Sequence, residues 1–374
     1  MTHLTYAEAM VVGLIQGVTE LFPVSSLGHN VLIPALIGGQ WAKDLNVSAP
    51  ESPYLAYIVG LHVATALAMI LYFWRDWLRI IRGFVSSVVQ RRVQTADERL
   101  AWMIILATIP VGIAGLALEH LFRVAFSKPI PTALFLSLNG VILIGGERLR
   151  RRRAATTPAA PAGSHALRPD PAPARAAMPG GPALAAAGGP PLPGSELAGS
   201  ELPAQAAGAG KHRSGAEPGL AVPGGPGSPA DGGPDDPDDA IAADNRIARM
   251  PYGRAILIGS AQIFALLPGI SRDGIVMVTG MFRGLSREDA ARFSFLLSAP
   301  VILAAGALKV PDLTGHLGNG IRGQVLAGSA LSFVGAYLSV RFLVRYFRES
   351  RSLTPFGIYC LIAGLGSVIY LTLR

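Results

Sequence analysis

The sequence predicts an all-α polytopic membrane protein, built as an inverted-topology repeat with about six spanning helices and two re-entrant helical hairpins. Three observations lead to this fold class. Hydrophobic residues make up 51% and charged residues only 15% of the 374 residues, and the mean hydropathy is +0.42, which is too apolar for a soluble fold. Six apolar segments have the length of a spanning helix. Two pairs of shorter apolar arms resemble each other across the chain.

The six spanning segments are each close to the roughly 20 residues that a helix needs to cross a hydrocarbon core of about 30 Å. They are residues 54–74, 101–119, 130–147, 292–310, 323–344 and 354–373. The single cysteine, Cys360, excludes a disulfide framework. The sequence has no basic face with interleaved aromatic residues, so we expect no nucleic-acid partner.

Composition divides the chain into three parts. Residues 1–150 and 245–374 are the two membrane repeats. Between them, 56 of residues 151–240 are Ala, Gly or Pro, and none is Phe, Trp, Tyr or Ile. Such a segment cannot bury enough apolar area to offset the entropy of ordering it, so residues 151–244 are predicted to be a disordered linker.

The short apolar arms predict two re-entrant hairpins, over residues 9–38 and 255–283, because arms of this length cannot span a bilayer. Arginine clusters at the ends of the spans predict a cytoplasmic linker and two outer termini. The hairpins then enter from opposite faces, as in inverted repeats whose site lies near the midplane. A shift of 246 residues pairs Gly13 with Gly259, Gln16 with Gln262, Ser25 with Ser271 and Gly28 with Gly274.

The first hairpin concentrates polar residues at membrane depth. Glu20 is a functional candidate because an ionisable side chain there is costly unless paired, although it could instead join helices. Gln16 lies one turn before it, so the two could hold a divalent cation or orient a base. Ser25 and Ser26 occupy a loop whose amides could cradle a phosphate while a hydroxyl attacks phosphorus, or they could simply bind backbone. His29 is the nearby base candidate.

The second hairpin carries Arg272 in a glycine-containing loop that includes Gly269. A guanidinium in such a loop suits bidentate recognition of a phosphate. The alternative is a structural salt bridge to Asp273 or to Glu20. His62, inside the first span, is either a satisfied interhelical histidine or a polar contact to the site.

Two segments carry a family resemblance. Residues 16–29, Gln-Gly-Val-Thr-Glu-Leu-Phe-Pro-Val-Ser-Ser-Leu-Gly-His, and residues 267–272, Leu-Pro-Gly-Ile-Ser-Arg, resemble the two signature motifs of the bacterial undecaprenyl-diphosphatase family, known also for bacitracin resistance. The resemblance covers nearly all of both repeats and omits the linker. It implies a plasma-membrane phosphatase that hydrolyses undecaprenyl diphosphate and so recycles the lipid carrier for peptidoglycan synthesis. It also implies an interdigitated inverted repeat, a site open to the outer side, and dependence on Mg²⁺ or Ca²⁺.

The resemblance also implies roles for the site residues. Ser26 would be the nucleophile, His29 the acid or base, and Glu20 the residue that orients or binds the metal, with Gln16 beside it. The implied phosphate-binding residues are Arg272 and Ser271, completed by the loop residues Ser25 and Gly269. Direct attack by water, with Ser26 only binding phosphate, stays open. The expected partners are a polyprenyl diphosphate and the bilayer, and the oligomeric state stays open, with a homodimer as one option.

The second motif departs from the family pattern Ser-Arg-Ser-Gly-Ala-Thr, since residues 271–276 read Ser-Arg-Asp-Gly-Ile-Val. Asp273 could repel a diphosphate or compete for Arg272 unless a metal ion intervenes, and Val276 lacks a hydroxyl. Two alternatives therefore stay open: a polyprenyl-phosphate transporter or flippase on the same scaffold, or a phosphatase for another lipid phosphate. The acid-phosphatase-like lipid phosphatases are excluded because their motif requires histidine where this chain has Val278.

Overall fold

The computed structural model describes residues 4–45, 53–121, 128–156, 237–314 and 320–374. Within these ranges all regular secondary structure is helical, which confirms the all-α prediction. The helices are α1 (Tyr6–Leu21), α2 (Ser26–Ile37), α3 (Gly39–Asp44), α4 (Pro53–Tyr72), α5 (Trp74–Gln90), α6 (Ala96–Leu121), α7 (Pro129–Thr156), α8 (Pro237–Ala248), α9 (Tyr252–Ser260), α10 (Arg272–Phe282), α11 (Arg287–Thr314), α12 (Arg322–Arg348) and α13 (Thr354–Leu373). A 3₁₀ helix, Ala261–Leu266, extends α9.

The spanning helices coincide with the six predicted segments. By length and composition, α6, α7, α11, α12 and α13 can each cross a membrane, and α4 forms a sixth candidate span together with the sharply bent α5, among the residues that the structure describes. Their apolar surfaces are too extensive for a water-soluble bundle, since many large hydrophobic side chains on these helices remain exposed. The chain is therefore a multi-pass membrane protein, as predicted.

Helix α5 is an element that the sequence analysis does not predict. It begins directly after α4 and turns by 86° from it. Its apolar residues recur every three or four positions, with Trp74, Leu78, Ile81 and Val85 exposed and Ile80 buried. A search for continuous apolar segments misses such a helix, because its polar and apolar residues alternate in the order of an amphipathic helix.

The two predicted hairpins are each a pair of helical arms around a short irregular tip. Residues 22–25 separate α1 from α2, and residues 267–271 separate the 3₁₀ helix from α10. The tips are built alike: Ser25 caps α2 by accepting a hydrogen bond from the Gly28 amide at 3.3 Å, and Ser271 caps α10 by accepting one from the Gly274 amide at 3.1 Å. Their entry from opposite faces of a membrane stays a prediction.

The first arm of each hairpin also packs alike, on a spanning helix of the other repeat. A Cβ atom on Gly13 of α1 would lie 2.3 Å from the carbonyl oxygen of Gly328 in α12, and one on Gly259 of α9 would lie 2.3 Å from that of Ala107 in α6. Only glycine allows backbones to approach so closely. Since α4 also packs on α12 and α6 on α11, the two repeats interdigitate.

Both ends of the predicted linker are helical, which corrects its boundaries of 151–244. Helix α7 continues to Thr156, and α8 begins at Pro237. The reason at the second end is ion pairing: Asp244 lies 2.6 Å from Arg79 and 2.7 Å from Arg292, contacts that composition cannot reveal. Residues 157–236 lie outside the described residues, and their disorder stays a prediction.

Candidate active site

The tips of the two hairpins are in direct contact. The Gly269 amide donates a hydrogen bond of 3.2 Å to Ser25 Oγ, and a Cβ on Gly28 would lie 3.0 Å from the Gly269 Cα. Gly269 has a φ of +111°, and a Cβ there would lie 2.5 Å from the Thr132 carbonyl oxygen of α7. Glycine is therefore required at residue 269 both by its backbone conformation and by the lack of space.

Asn139 of α7 binds both tips. Its Nδ2 donates to the Pro23 carbonyl oxygen at 3.0 Å, and its Oδ1 accepts from the Ser271 amide at 3.1 Å. The side chain is fully buried. The sequence analysis did not select it as a site residue, although an uncharged amide within an apolar span is a signal that could have done so.

Glu20 is the shared partner of both hairpins. Its Oε2 accepts hydrogen bonds from Gln16 Nε2 at 2.7 Å and from Ser26 Oγ in a very short contact, and lies 3.4 Å from His62 Nε2 of α4. Its Oε1 accepts from Arg272 Nη2 at 2.7 Å. Only 7% of Glu20 is exposed, and these partners are what allows a carboxylate to be buried. His62 is thus a polar contact to the site.

Ser26 contacts Glu20 and not His29, the base that the sequence analysis expected. His29 Nδ1 lies 2.7 Å from the Ser25 carbonyl oxygen, to which it donates, because that oxygen can only accept. His29 Nε2 lies 2.7 Å from the Tyr359 hydroxyl of α13, and the two rings stack. In this geometry the carboxylate of Glu20 is the proton acceptor next to Ser26, and His29 is a second titratable group nearby.

Arg272 forms the structural salt bridge to Glu20 that was raised as the alternative to phosphate binding. The pair uses Nη2, whereas Nε finds no hydrogen-bond partner in the part of the chain that the structure describes. The side chain is 16% exposed. A guanidinium has five donors, so the bond to Glu20 leaves donors for an anion.

Asp273 forms no ion pair with Arg272 among the described residues, although the two charges are close enough to interact. Its Oδ1 accepts hydrogen bonds of 2.6 Å from both Ser294 and Ser298 of α11, and it is fully buried. The reason is helical geometry: consecutive residues at the start of α10 point about 100° apart. Val276 likewise packs in the apolar contact between α10 and α11.

The remaining phosphate-binding candidates are already engaged at the tips. The Gly269 amide is committed to Ser25, and the hydroxyl oxygens of Ser25 and Ser271 accept from the cap amides. Neither hydroxyl donates a hydrogen bond to any residue within the described ranges, so both O–H groups stay available to an acceptor. Arg272 is the candidate with the most unused donors.

The site offers few metal ligands of its own. Gln16 directs its amide nitrogen to Glu20 and its oxygen to Asn30 Nδ2 at 2.6 Å, so Gln16 and Glu20 do not present two oxygens to one point as expected. Among the described residues, no group of three His, Cys, Asp or Glu side chains could hold a metal ion. Mg²⁺ is commonly held by one or two carboxylates together with substrate phosphates. Both oxygens of Glu20 are engaged by Gln16, Ser26 and Arg272, so a cation shared with the substrate would have to displace one of these donors.

Comparison with known proteins identifies relatives along the whole chain. A family model described as Bacitracin resistance protein BacA matches residues 9–167 and 237–366. The chain is 53% identical over 372 residues to the undecaprenyl-diphosphatase of Mycolicibacterium paratuberculosis, covering 100% of this chain and 99% of the relative. It is 51% identical to undecaprenyl-diphosphatase 1 of Frankia casuarinae, with 99% of each covered, and 34% identical to undecaprenyl-diphosphatase 2 of Chromobacterium violaceum, with 97% and 98% covered.

Proposed function

This chain belongs to the Bacitracin resistance protein BacA family, and on that premise we propose that it is an undecaprenyl-diphosphatase. It hydrolyses undecaprenyl diphosphate to undecaprenyl phosphate and inorganic phosphate, which recycles the lipid carrier for peptidoglycan synthesis and confers bacitracin resistance. Relatives of that name align over nearly their full length. The observation that carries the proposal is the bonded set of Ser26, Glu20 and Arg272, which joins a nucleophile, a proton acceptor and an anion-binding cation.

Ser26 attacks the terminal phosphorus of the diphosphate. Its Oγ–P bond forms as the bond from phosphorus to the bridging oxygen breaks, and undecaprenyl phosphate leaves. Glu20 Oε2, which accepts the Ser26 hydrogen bond, takes the hydroxyl proton. Water then hydrolyses the phosphoserine and releases inorganic phosphate. In the alternative path, Glu20 activates water directly and Ser26 only binds the phosphate.

Arg272 binds the phosphate and neutralises the charge that develops on its oxygens. Phosphoryl transfer asks the protein mainly to position the phosphates and to stabilise this charge. The unpartnered Nε and the partial exposure of the side chain support the assignment. The free hydroxyl hydrogens of Ser25 and Ser271 add donors at the same tips.

We also propose that the enzyme uses a divalent cation, Mg²⁺ or Ca²⁺, which Glu20 and the diphosphate would hold. When bound, such a cation neutralises phosphate charge and acts as a Lewis acid. His29, oriented by the Ser25 carbonyl oxygen and the Tyr359 hydroxyl, is the second group able to carry a proton at the site. It is the candidate acid for the leaving undecaprenyl phosphate.

The protein acts in the bacterial plasma membrane, with the site toward the outer side and the linker in the cytoplasm. The placement of arginines supports this orientation: Arg75, Arg79 and Arg82 follow the first span, and Arg341 and Arg345 precede the last. Segments rich in Lys and Arg stay on the cytoplasmic side.

The test is phosphate release from undecaprenyl diphosphate by the purified full-length protein in detergent, with and without EDTA. We expect release that needs the cation and that falls at least about 100-fold in Ser26→Ala and in Arg272→Ala. Ser137→Ala is the matched serine control, because its hydroxyl bonds only to its own helix, and Arg283→Ala is the matched exposed arginine.

Each outcome bears on one part of the proposal. No release from well-folded wild type would overturn the diphosphatase assignment. Release that persists at a reduced rate in Ser26→Ala, with no phosphoserine trapped in the wild type, would replace the serine attack by attack of water. Full release by both variants would show that the active site does not lie where the two hairpin tips meet. Full activity in EDTA would show that hydrolysis does not need a divalent cation.

A further inference from the structure

We propose a second anion-binding site, distant in sequence from Ser26 and Glu20, which takes the phosphate group of an anionic phospholipid. It is a cavity of about 800 Å³ bounded by the junction of α4 and α5 and by α8, α11 and α12. The proposed hydrolysis does not use it, and the proposal does not depend on that activity. Charge, wall composition and the position of α5 each support it.

The cavity holds more positive than negative side chains. Its arginines are Arg75, Arg79, Arg82, Arg292, Arg341 and Arg348, and its acidic residues are Asp76 and Glu288. Two of the arginines are neutralised in a buried network, since Arg79 and Arg292 both pair with Asp244 and with Asp76. Glu288 is the partner of Arg246 at 3.6 Å. Asp76, Asp244 and Glu288 therefore each already form an ion pair with an arginine.

Three arginines of the cavity remain uncompensated. Neither Arg82 nor Arg341 makes a hydrogen bond or an ion pair within the residues that the structure describes, and Arg75 contacts the ring of Trp74, with 5.3 Å from its guanidinium carbon to the ring centre. All three side chains are exposed although they line the cavity, which places them at its opening. Unpaired guanidinium groups at one opening are the chemistry that binds a phosphate.

Apolar and aromatic side chains line part of the cavity wall, which favours a lipid over a free phosphate ion. The wall residues include Leu71, Phe73, Phe295, Tyr337, Val344 and Phe347. A free phosphate gains nothing from such a wall, whereas an acyl chain gains about 0.8 kcal/mol for each methylene that it buries. Guanidinium groups at the opening and apolar side chains within match the two ends of one phospholipid.

Helix α5 brings this opening to the depth of lipid headgroups. It bends 86° from α4, and the apolar face formed by Trp74, Leu78, Ile81 and Val85 is about half exposed. An amphipathic helix of this kind lies in the membrane interface, with its apolar face at the acyl boundary. Arg75 and Arg82 flank that face, as expected for residues that meet anionic headgroups.

The test is native mass spectrometry of the full-length protein titrated with phosphatidylglycerol and with phosphatidylcholine of the same acyl chains. We expect the wild type to prefer phosphatidylglycerol. The double variant Arg82→Ala/Arg341→Ala should weaken that binding by about 30-fold, since one arginine near a headgroup contributes about fivefold, and should weaken phosphatidylcholine binding by a smaller factor, because that headgroup has the same phosphate but no net charge. Arg345→Ala is the matched control in α12, because Arg345 pairs with Glu349 outside the cavity.

The same titration in millimolar inorganic phosphate separates the two sources of a phosphate group. Retention of phosphatidylglycerol in phosphate supports a lipid site, whereas its displacement at these concentrations would assign the cavity to free phosphate and overturn the lipid proposal. Equal binding by the double variant and by Arg345→Ala, both with wild-type melting temperature, would overturn the site. An equal affinity for the two lipids would do the same.

Discussion

Arg272 of α10 donates a 2.7 Å hydrogen bond to Glu20 of α1, although 252 residues separate them in the chain. The pair joins the two hairpins at the point where the proposed reaction needs a cation and a proton acceptor. Because this bond holds the Arg272 guanidinium in place, the side chain needs little rearrangement to bind a phosphate. The same carboxylate accepts the hydrogen bond of Ser26 through its other oxygen.

Glu20→Gln should abolish most of the hydrolysis and should also lower the melting temperature, because Arg272 loses its buried ionic partner. The amide cannot take a proton from Ser26, and it cannot pair with Arg272 as an anion. We expect phosphate release to fall about 100- to 10,000-fold, the usual contribution of a general base. The matched control is Glu8→Gln in the same helix, where the side chain belongs to the N-terminal capping box. Equal activity of the two variants would contradict the role of Glu20.

Tyr359→Phe should reduce turnover without weakening substrate binding. The substitution removes the hydroxyl that holds His29 Nε2 at 2.7 Å, and the net value of such a bond is about 1 kcal/mol, or roughly fivefold in rate. We expect kcat to fall by that factor and KM to stay constant, because Tyr359 acts through His29. Tyr370→Phe, on an exposed position of the same helix, is the control. A change confined to KM would mean that Tyr359 contacts the substrate instead.

Gly269→Ala should destabilise the protein and separate the hairpin tips. The new Cβ would lie 2.5 Å from a backbone oxygen of α7, and a φ of +111° strains any side chain, at a cost of about 1–3 kcal/mol. We expect a lower melting temperature in detergent together with lost activity. Gly112→Ala is the control, since nothing lies within 4 Å of a Cβ there, and it should melt at or above the wild-type temperature. Identical melting of both variants would exclude the close contact.

Asp273→Ser should leave phosphate release nearly unchanged, although it restores the residue of the family motif. The carboxylate accepts hydrogen bonds from Ser294 and Ser298 and forms no ion pair with Arg272 among the described residues, so we expect it to take no direct part in binding the diphosphate. We expect a change below about twofold, which is under about 0.5 kcal/mol in activation free energy. Phosphate release by the purified variant is the measurement, with Asp273→Asn as the isosteric control. A gain of tenfold or more would show that Asp273 does oppose the substrate.

Local sequence was sufficient for the spanning helices and for the residue types at the hairpin tips. The lengths of the apolar segments predicted the spanning helices, because crossing a bilayer imposes a minimum length on each one. Ser25 and Ser271, which the sequence comparison pairs, are equivalent helix caps in the structure. Helix α5 was not predicted, because its apolar residues are spaced along one face of an amphipathic helix and form no continuous apolar segment.

The sequence by itself determined a polytopic helical protein with Glu20, Ser26, His29 and Arg272 near two loop tips. Only the tertiary structure decided that Ser26 bonds to Glu20 and not to His29, and that Asn139 of α7 and Tyr359 of α13 complete the site. Side-chain partners within hydrogen-bonding distance depend on how helices from distant parts of the chain pack. The direction of a side chain such as Asp273 follows from its position in the helix, but which helix it then faces depends on tertiary packing.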